Sequence, residues 1–299
     1  MSWAFVGRGD GSAGRCAAVA LLYRLYLTGD VGLSSTLIVK LPAESKARGA
    51  MEMLGGYQRE LSFYEDVAGA APIQTPHVHA ARMARISVDF VLLLEDLWDW
   101  ENAEHLVGLL LERARLCIEQ LAGLHAWSVD SANADALEHF PSLDTPLARD
   151  LFLPAFGLAC QVYLRESSVP VPPSAARFAE RFVEHAPKAL EALTERSMLL
   201  HGDIRADNMF FAGDRLKVVD FQIAVRGASA ADVAYLVNQG LPTEVRRGRD
   251  QELVREYLEG LAGHRIIDYS FDECVAALPV RRRLSDVLAS GHTDRLGWA

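Results

Sequence analysis

His201-Gly202-Asp203-Ile204-Arg205-Ala206-Asp207-Asn208, followed by Val219-Asp220-Phe221-Gln222, is the stretch on which the reading of this chain turns. Asp203, Asn208 and Asp220 all ligate through oxygen. Mg²⁺ prefers such hard oxygen ligands, takes few of them from protein, and leaves the rest of its shell to phosphate and water. An Asp and an Asn on two adjacent loops can hold the ion against a nucleotide, while a further carboxylate accepts a proton from an attacking hydroxyl. A lone His-Gly-Asp or Val-Asp-Phe says little, because Gly-Asp pairs are common in turns. An Asp, an Asn five residues later and a strand-borne Asp seventeen residues after the first form a far more specific set.

Outward from this stretch, residues 198–222 read as strand, polar loop, strand, a Gly213-Asp214 turn and strand, and 230–239 and 250–262 as helices. Upstream, Leu106, Leu110, Arg113, Cys117, Leu121 and Leu124 follow a 3.6-residue period, predicting an amphipathic helix over 102–127. Residues 130–190 read as mostly helical, broken by Pro141, Pro146, Pro154 and the prolines between 170 and 173. The first hundred residues are strand-rich. Cys16–Leu27 and the β-branched run Ser35–Leu41 flank Gly29-Asp30 as a hairpin-type pair. Met51, Leu54, Leu61, Tyr64 and Val67 predict a helix over 47–67, weakened in its middle by Gly55-Gly56. Ile86–Leu94 reads as a buried strand. The expected fold class is therefore α+β, with a β-rich N-terminal part (1–96) and a mainly helical C-terminal part (97–299).

Composition narrows the functional classes. The chain has 299 residues, 50% of them hydrophobic and 23% charged, as in an ordinary globular protein of one large or two small domains. A formal charge of −10 argues against non-specific nucleic-acid binding, which needs a basic face. Cys16, Cys117, Cys160 and Cys274 form no C-x-x-C pair, so four buried thiols in a reducing compartment are expected. No apolar run reaches the roughly 18 residues that span a bilayer. The N-terminus also lacks signal-peptide features, so the expected setting is cytoplasmic, without membrane association.

The run from Leu199 to Phe211, then Val218-Val219-Asp220-Phe221-Gln222, then Ala231-Asp232-Val233-Ala234-Tyr235-Leu236-Val237, resembles the phosphotransferases that share the protein-kinase-like bilobal fold. These include aminoglycoside phosphotransferases, choline kinases and ecdysteroid kinase-like proteins, and the likeness is greatest to the ecdysteroid kinase-like branch. The resemblance implies a nucleotide-binding N-lobe, a helical C-lobe, ATP and Mg²⁺ as cofactors, and a small-molecule hydroxyl as phosphoryl acceptor. It implies a strand lysine for the α/β-phosphates, matched by Lys40 at the end of Leu37-Ile38-Val39-Lys40, and a helix glutamate paired with it, matched by Glu60 in Arg59-Glu60-Leu61-Ser62-Phe63-Tyr64. The linker Leu93-Leu94-Glu95-Asp96-Leu97 resembles the segment whose backbone, at Glu95 and Leu97, meets adenine. Gly9-Asp10-Gly11-Ser12-Ala13-Gly14 matches a phosphate-covering loop, with Gly9 and Gly11 as its contacts. By the same resemblance Asp203 is the catalytic base, Arg205 contacts the γ-phosphate, and Asn208 and Asp220 hold Mg²⁺. His201 and Asp232 steady the catalytic loop.

Protein kinases carry a long activation segment before an Ala-Pro-Glu motif. Here eleven residues separate Asp220 from Asp232, no such motif follows, and Gln222 stands where those enzymes have Gly. A small-molecule kinase is therefore expected. Its acceptor should bind in the helical part, where Trp98-Asp99-Trp100-Glu101 and the pair Asp272-Glu273 are candidate lining residues. The chain is short for this branch at both ends, and Pro279–Ala299 is arginine-rich with no family-like helix pattern. The alternative expectation is thus a nucleotide-binding pseudo-kinase or truncated paralogue with little turnover.

Overall fold

The structure is a computed structural model and describes residues 4–5, 20–27 and 35–277. The described chain divides into two compact units and visits each of them twice. The first unit holds the described residues up to Ala103 together with Asp207–Ala224. The second holds Glu104–Ala206 and the described residues from Val225 onward.

The first visit builds an antiparallel sheet from β1 (Ala4–Phe5), β2 (Ala20–Tyr26), β3 (Thr36–Pro42), β4 (Val78–Met83) and β5 (Phe90–Glu95), in the order β1-β2-β3-β5-β4. The β-branched run in β3 suits a half-buried pleated surface, and Leu37, Val39, Leu92 and Leu94 from the paired strands β3 and β5 are buried. Between β3 and β4 the predicted helix occurs as two pieces, α1 (Lys46–Met53) and α2 (Gly56–Ser62). They are separated at Leu54 and at Gly55, whose backbone is left-handed. A π-helical turn over Phe63–Val67 continues α2. The expected strand Ile86–Leu94 starts later, at Phe90. Ile86 is fully exposed in a bend where the Ser87 hydroxyl donates to Asp89, so β-branching there does not reflect burial. The short β6 (Glu101–Asn102) closes this visit.

The second unit opens with α3 (Leu111–Ser128), not at 102 as its apolar spacing predicts. Leu106 is 95% exposed and Leu110 also faces solvent. The start is delayed by Gly108, whose φ of 77° excludes a helical turn and leaves no room for a side chain: a Cβ there would stand 2.7 Å from Pro242. From Ala114 on, the predicted period holds, with Cys117, Ile118, Leu121, Ala122, Leu124 and His125 buried. Two 3₁₀ turns and a π-turn lead to α4 (Leu153–Glu166) and α5 (Pro173–Ala192), which begin at prolines as helix N-termini favour. Phe156 and Phe182 pack between them, yet no side chain of α4 is buried. Next comes β7 (Met198–Leu200).

The chain then returns to the first unit as the hairpin β8 (Met209–Ala212) and β9 (Arg215–Val218), turned at Gly213-Asp214 and extended by β6 alongside β8. It re-enters the second unit through β10 (Val225–Gly227), which pairs with β7. Then follow α6 (Ala230–Tyr235) with a π-turn to Gly240, α7 (Thr243–Arg246), α8 (Asp250–Gly263) and α9 (Phe271–Ala277). Leu193, Leu200, Val225, Ala228 and Ala231 form a core cluster under the β7–β10 pair. α8 lies close against α3: a Cβ at Gly260 would meet Ala122 at 2.8 Å. Cys117 and Cys274 are buried as expected, whereas Cys160 on α4 is only half-buried. Cys16 lies outside the described residues. Among the described residues no helix is long and apolar enough to cross a membrane.

Candidate functional site

In the first unit, Lys40 sits near the end of β3, pointing inward, with 7% of its surface exposed. Its ammonium bonds Glu60 Oε1 on α2 at 2.7 Å and Asp220 Oδ1, beyond β9, at 3.1 Å. Burial opposes its charge, but the two carboxylates overcome that and hold Lys40 above the usual lysine range. Glu60 is 1% exposed, and burial moves its carboxyl up against the pull of Lys40. The second oxygen of Glu60 accepts the Gln222 amide at 3.0 Å. Thus the Gln in the position where protein kinases carry Gly completes the glutamate's bonding.

Three further contacts tie α2 to the segment after β9. The rings of Phe63 and Phe221 stack with centroids 3.5 Å apart, Tyr64 meets Phe221 edge-on, and Arg59, buried, donates to the Ala224 and Leu54 carbonyls. Asp220 itself has φ of 69°. A non-glycine residue adopts that conformation at a cost and keeps it where the surroundings impose it, as functional sites often do. Its side chain is 39% exposed, so one face of the carboxylate is open.

Register places the second oxygen donor. Met209 of β8 faces Val218 of β9, and Val219 N–H donates to the Asn208 carbonyl at 3.0 Å. Asn208 and Asp220 therefore flank the same end of one hairpin. Asn208 is buried, and an amide and a carboxylate are the kind of hard-oxygen groups that could hold Mg²⁺.

Glu95 and Leu97 stand where β5 ends. Glu95 N–H donates to the His77 carbonyl, and the Leu97 carbonyl accepts Trp100 N–H. The Glu95 side chain accepts His77 N–H and the Lys217 ammonium. Burial opposes its charge, but these partners hold it below the usual carboxylate range. The neighbouring Asp96 is buried in an ion pair with Arg24 of β2. Trp100 is covered by the cations of Arg215 and Lys217, whereas Trp98 is exposed. Gly9 and Gly11 lie outside the described residues.

In the second unit, burial alternates along the loop after β7. His201, Ile204 and Ala206 are buried, whereas Asp203 and Arg205 are half-buried. His201 Nδ1 accepts Asp203 N–H at 3.2 Å, a structural role as expected. Asp232, 1% exposed on α6, accepts His201 N–H at 2.7 Å and Gly202 N–H at 3.0 Å, and lies 3.3 Å from His125 Nε2. Burial alone would raise its carboxyl, but His125, His201 and the Gly202 N–H outweigh that and hold it below the usual range. The His125 Nδ1 lies 2.8 Å from the Tyr257 hydroxyl. With Nε2–H directed to Asp232, Nδ1 is left to accept from the phenol. Asp203 Oδ1 accepts the Tyr235 hydroxyl at 2.8 Å, and Arg205 Nε stands 3.8 Å from that same oxygen.

The structure thus brings Lys40, Glu60 and Asp220 into contact in the first unit and sets Arg205 beside Asp203 in the second. Sequence reasoning missed Tyr235 and His125. Tyr235 lies within the run around Asp232 but carries no local signal of its own. A single His on the apolar face of α3 reads as core. Asp272 and Glu273, proposed as acceptor-lining residues, lie at the start of α9, where Glu273 accepts from the backbone and side chain of Ser270.

The profile of the ecdysteroid kinase-like family matches residues 17–267. A search of curated proteins returns no match. Among solved structures, an aminoglycoside-3'-phosphotransferase of type VIII superposes with a TM-score of 0.53 at 18% identity, covering 96% of this chain and 93% of that one. Choline kinase from Cryptosporidium parvum superposes with a TM-score of 0.59 at 9% identity, covering 98% and 83%. At these identities the likeness establishes the fold: a kinase-like arrangement with a β-sheet N-terminal region and a helical C-terminal region.

Proposed function

Because the chain belongs to the ecdysteroid kinase-like family, we propose that it is an ATP- and Mg²⁺-dependent kinase acting on the hydroxyl of a small molecule. The observation that carries this reading furthest is the buried lysine held by two carboxylates, one of them on the strained backbone of Asp220. A flexible ammonium so fixed is pre-positioned for phosphate, and its orientation costs nothing further on binding.

The chemistry is transfer of the γ-phosphoryl group. A bond forms between the acceptor oxygen and the γ-phosphorus, the bond from that phosphorus to the β–γ bridging oxygen breaks, and ADP leaves. Asp203 accepts the acceptor's hydroxyl proton as general base. Lys40, steadied by Glu60, meets the α/β-phosphates, and Arg205 offers a charge-assisted bond to the γ-phosphate. Asn208 and Asp220 hold Mg²⁺, which when bound neutralises phosphate charge. The Glu95 carbonyl and Leu97 N–H address adenine. The acceptor is a small hydroxylated molecule, and the setting is cytoplasmic.

The test is ADP release over a panel of small alcohols with ATP and Mg²⁺, with Asp203→Ala alongside. Acceptor-dependent release that disappears in Asp203→Ala is expected. Undiminished turnover in that variant overturns the role of Asp203. ATP binding without any phosphorylated acceptor overturns the kinase reading in favour of a nucleotide-binding module.

A further inference from the structure

One turn of α6 grips three consecutive residues of the catalytic loop. Asp232 and Tyr235 are three residues apart and share a face of the helix. Asp232 takes the backbone N–H groups of His201 and Gly202. Tyr235 takes the next residue by its side chain, donating its hydroxyl to Asp203 Oδ1 at 2.8 Å. The two grips differ in kind. Binding two backbone N–H groups fixes where the loop runs. A hydrogen bond to a carboxylate oxygen fixes how that one side chain is turned.

We propose that Tyr235 is a positioning residue for phosphoryl transfer: its hydroxyl sets the rotamer of Asp203 and keeps that carboxylate from closing on Arg205. This rests on the reading of Asp203 as the base. A phenol suits the task because its ring has only two side-chain torsions, so its oxygen is a nearly fixed point, and a hydrogen bond to an ionised carboxylate is among the stronger kinds. The competing cation is near. Arg205 Nε stands 3.8 Å from the oxygen that Tyr235 holds, outside hydrogen-bond distance but within reach of a small rotation. A closed Asp203–Arg205 pair would occupy the base and the Arg205 guanidinium together, whereas the phenol is neutral and engages only the base. His201 faces Asp203 as well, but through the backbone, accepting Asp203 N–H on Nδ1, and so does not set the carboxylate's angle.

The experiment compares Tyr235→Phe, Asp203→Asn and the double variant, using whichever acceptor the panel identifies. Tyr235→Phe removes one oxygen and keeps the ring. We expect kcat to fall about tenfold, the scale of one lost charge-assisted hydrogen bond, with KM for ATP and acceptor and the melting temperature little changed. In the Asp203→Asn background the same change should have no further effect, because the two residues act as a unit. An unchanged kcat in Tyr235→Phe overturns the proposal. So does an equal loss in both backgrounds, or a loss matched by a fall in melting temperature, which marks a packing role. Full turnover in Asp203→Asn instead overturns the base assignment on which the proposal stands, and the two failures are thereby told apart.

Discussion

Glu60 in the first unit and Asp232 in the second are both carboxylates 1% exposed, and the two are stabilised in opposite ways. In the first unit Glu60 faces a full positive charge, Lys40, which is shared with the half-exposed Asp220. In the second unit Asp232 faces the backbone N–H groups of His201 and Gly202 and a buried histidine. A charge pair opening onto an exposed carboxylate is arranged to exchange one partner for a ligand. A carboxylate saturated by the main chain has nothing to exchange, and it holds a loop. Under the proposed function the first cluster carries chemistry and the second stability, and each assignment can be broken by measurement.

The largest expected effect is on turnover. Lys40→Met should lower kcat/KM by about 10³-fold, or roughly 4 kcal/mol of transition-state stabilisation, with a smaller loss of fold stability. Glu60, already pushed up by burial, can take a proton when its cation is gone. If stability collapses while residual activity per folded molecule is normal, the contrast between clusters is wrong.

Next comes Asp232→Asn, which substitutes an amide that accepts through one oxygen only. Two backbone N–H groups and His125 compete for it, and unfolding free energy should drop by about 3 kcal/mol, read from denaturant midpoints. Acid sharpens the same point. The folded Asp232 carboxyl is held below its ordinary value, so its contribution is fully present above the unfolded value of about 3.9 and disappears as pH falls through the folded one. The gap between wild type and Asp232→Asn should narrow below about pH 4. A gap that stays constant from neutral pH to pH 3 would show that the charge contributes nothing.

The smallest effect probes the packing beneath the second cluster. Tyr257 and Gly260 lie on one face of α8, against His125 and Ala122 of α3. Gly260→Ala gains helix propensity but forces two methyl groups together, and should cost about 1 kcal/mol net, seen as a melting temperature lower by a few degrees. A gain in stability would mean that α3 and α8 move apart readily and that the His125–Tyr257 contact does not depend on their spacing.

Much of this arrangement was legible in the residues because it depends on type and order. The β2–β3 pair follows from an apolar run and a β-branched run on either side of a Gly-Asp turn, the break between α1 and α2 from Gly55-Gly56, and the pairing of Lys40 with Glu60 from the family resemblance, whereas the contact of Lys40 with Asp220 was not foreseen. What stayed hidden depends on partners far along the chain. β4, with the sequence Val-His-Ala-Ala-Arg-Met, has no strand alternation and is a strand because β5 pairs with it. Leu106 and Leu110 match the helical period, yet Gly108 and the nearby Pro242 keep them out of α3. His125 and Tyr235 act through residues 107 and 32 positions away, which no local pattern announces.

The hairpin β8–β9 has a consequence for how the protein is made. The N-terminal segment that carries Lys40 and Glu60 is complete at Ala103, but its unit is not, because residues Asp207–Ala224 come only after the chain has passed through the other unit. On a ribosome adding 5–20 residues per second, that delay of about 120 residues lasts roughly 5–25 s. Throughout it the nascent sheet has neither the Phe221 ring for Phe63 nor the Asp220 carboxylate for Lys40. The first unit is therefore the earlier begun and the later finished, and a nascent chain stalled before Asp207 would expose its unfinished core to chaperones or aggregation.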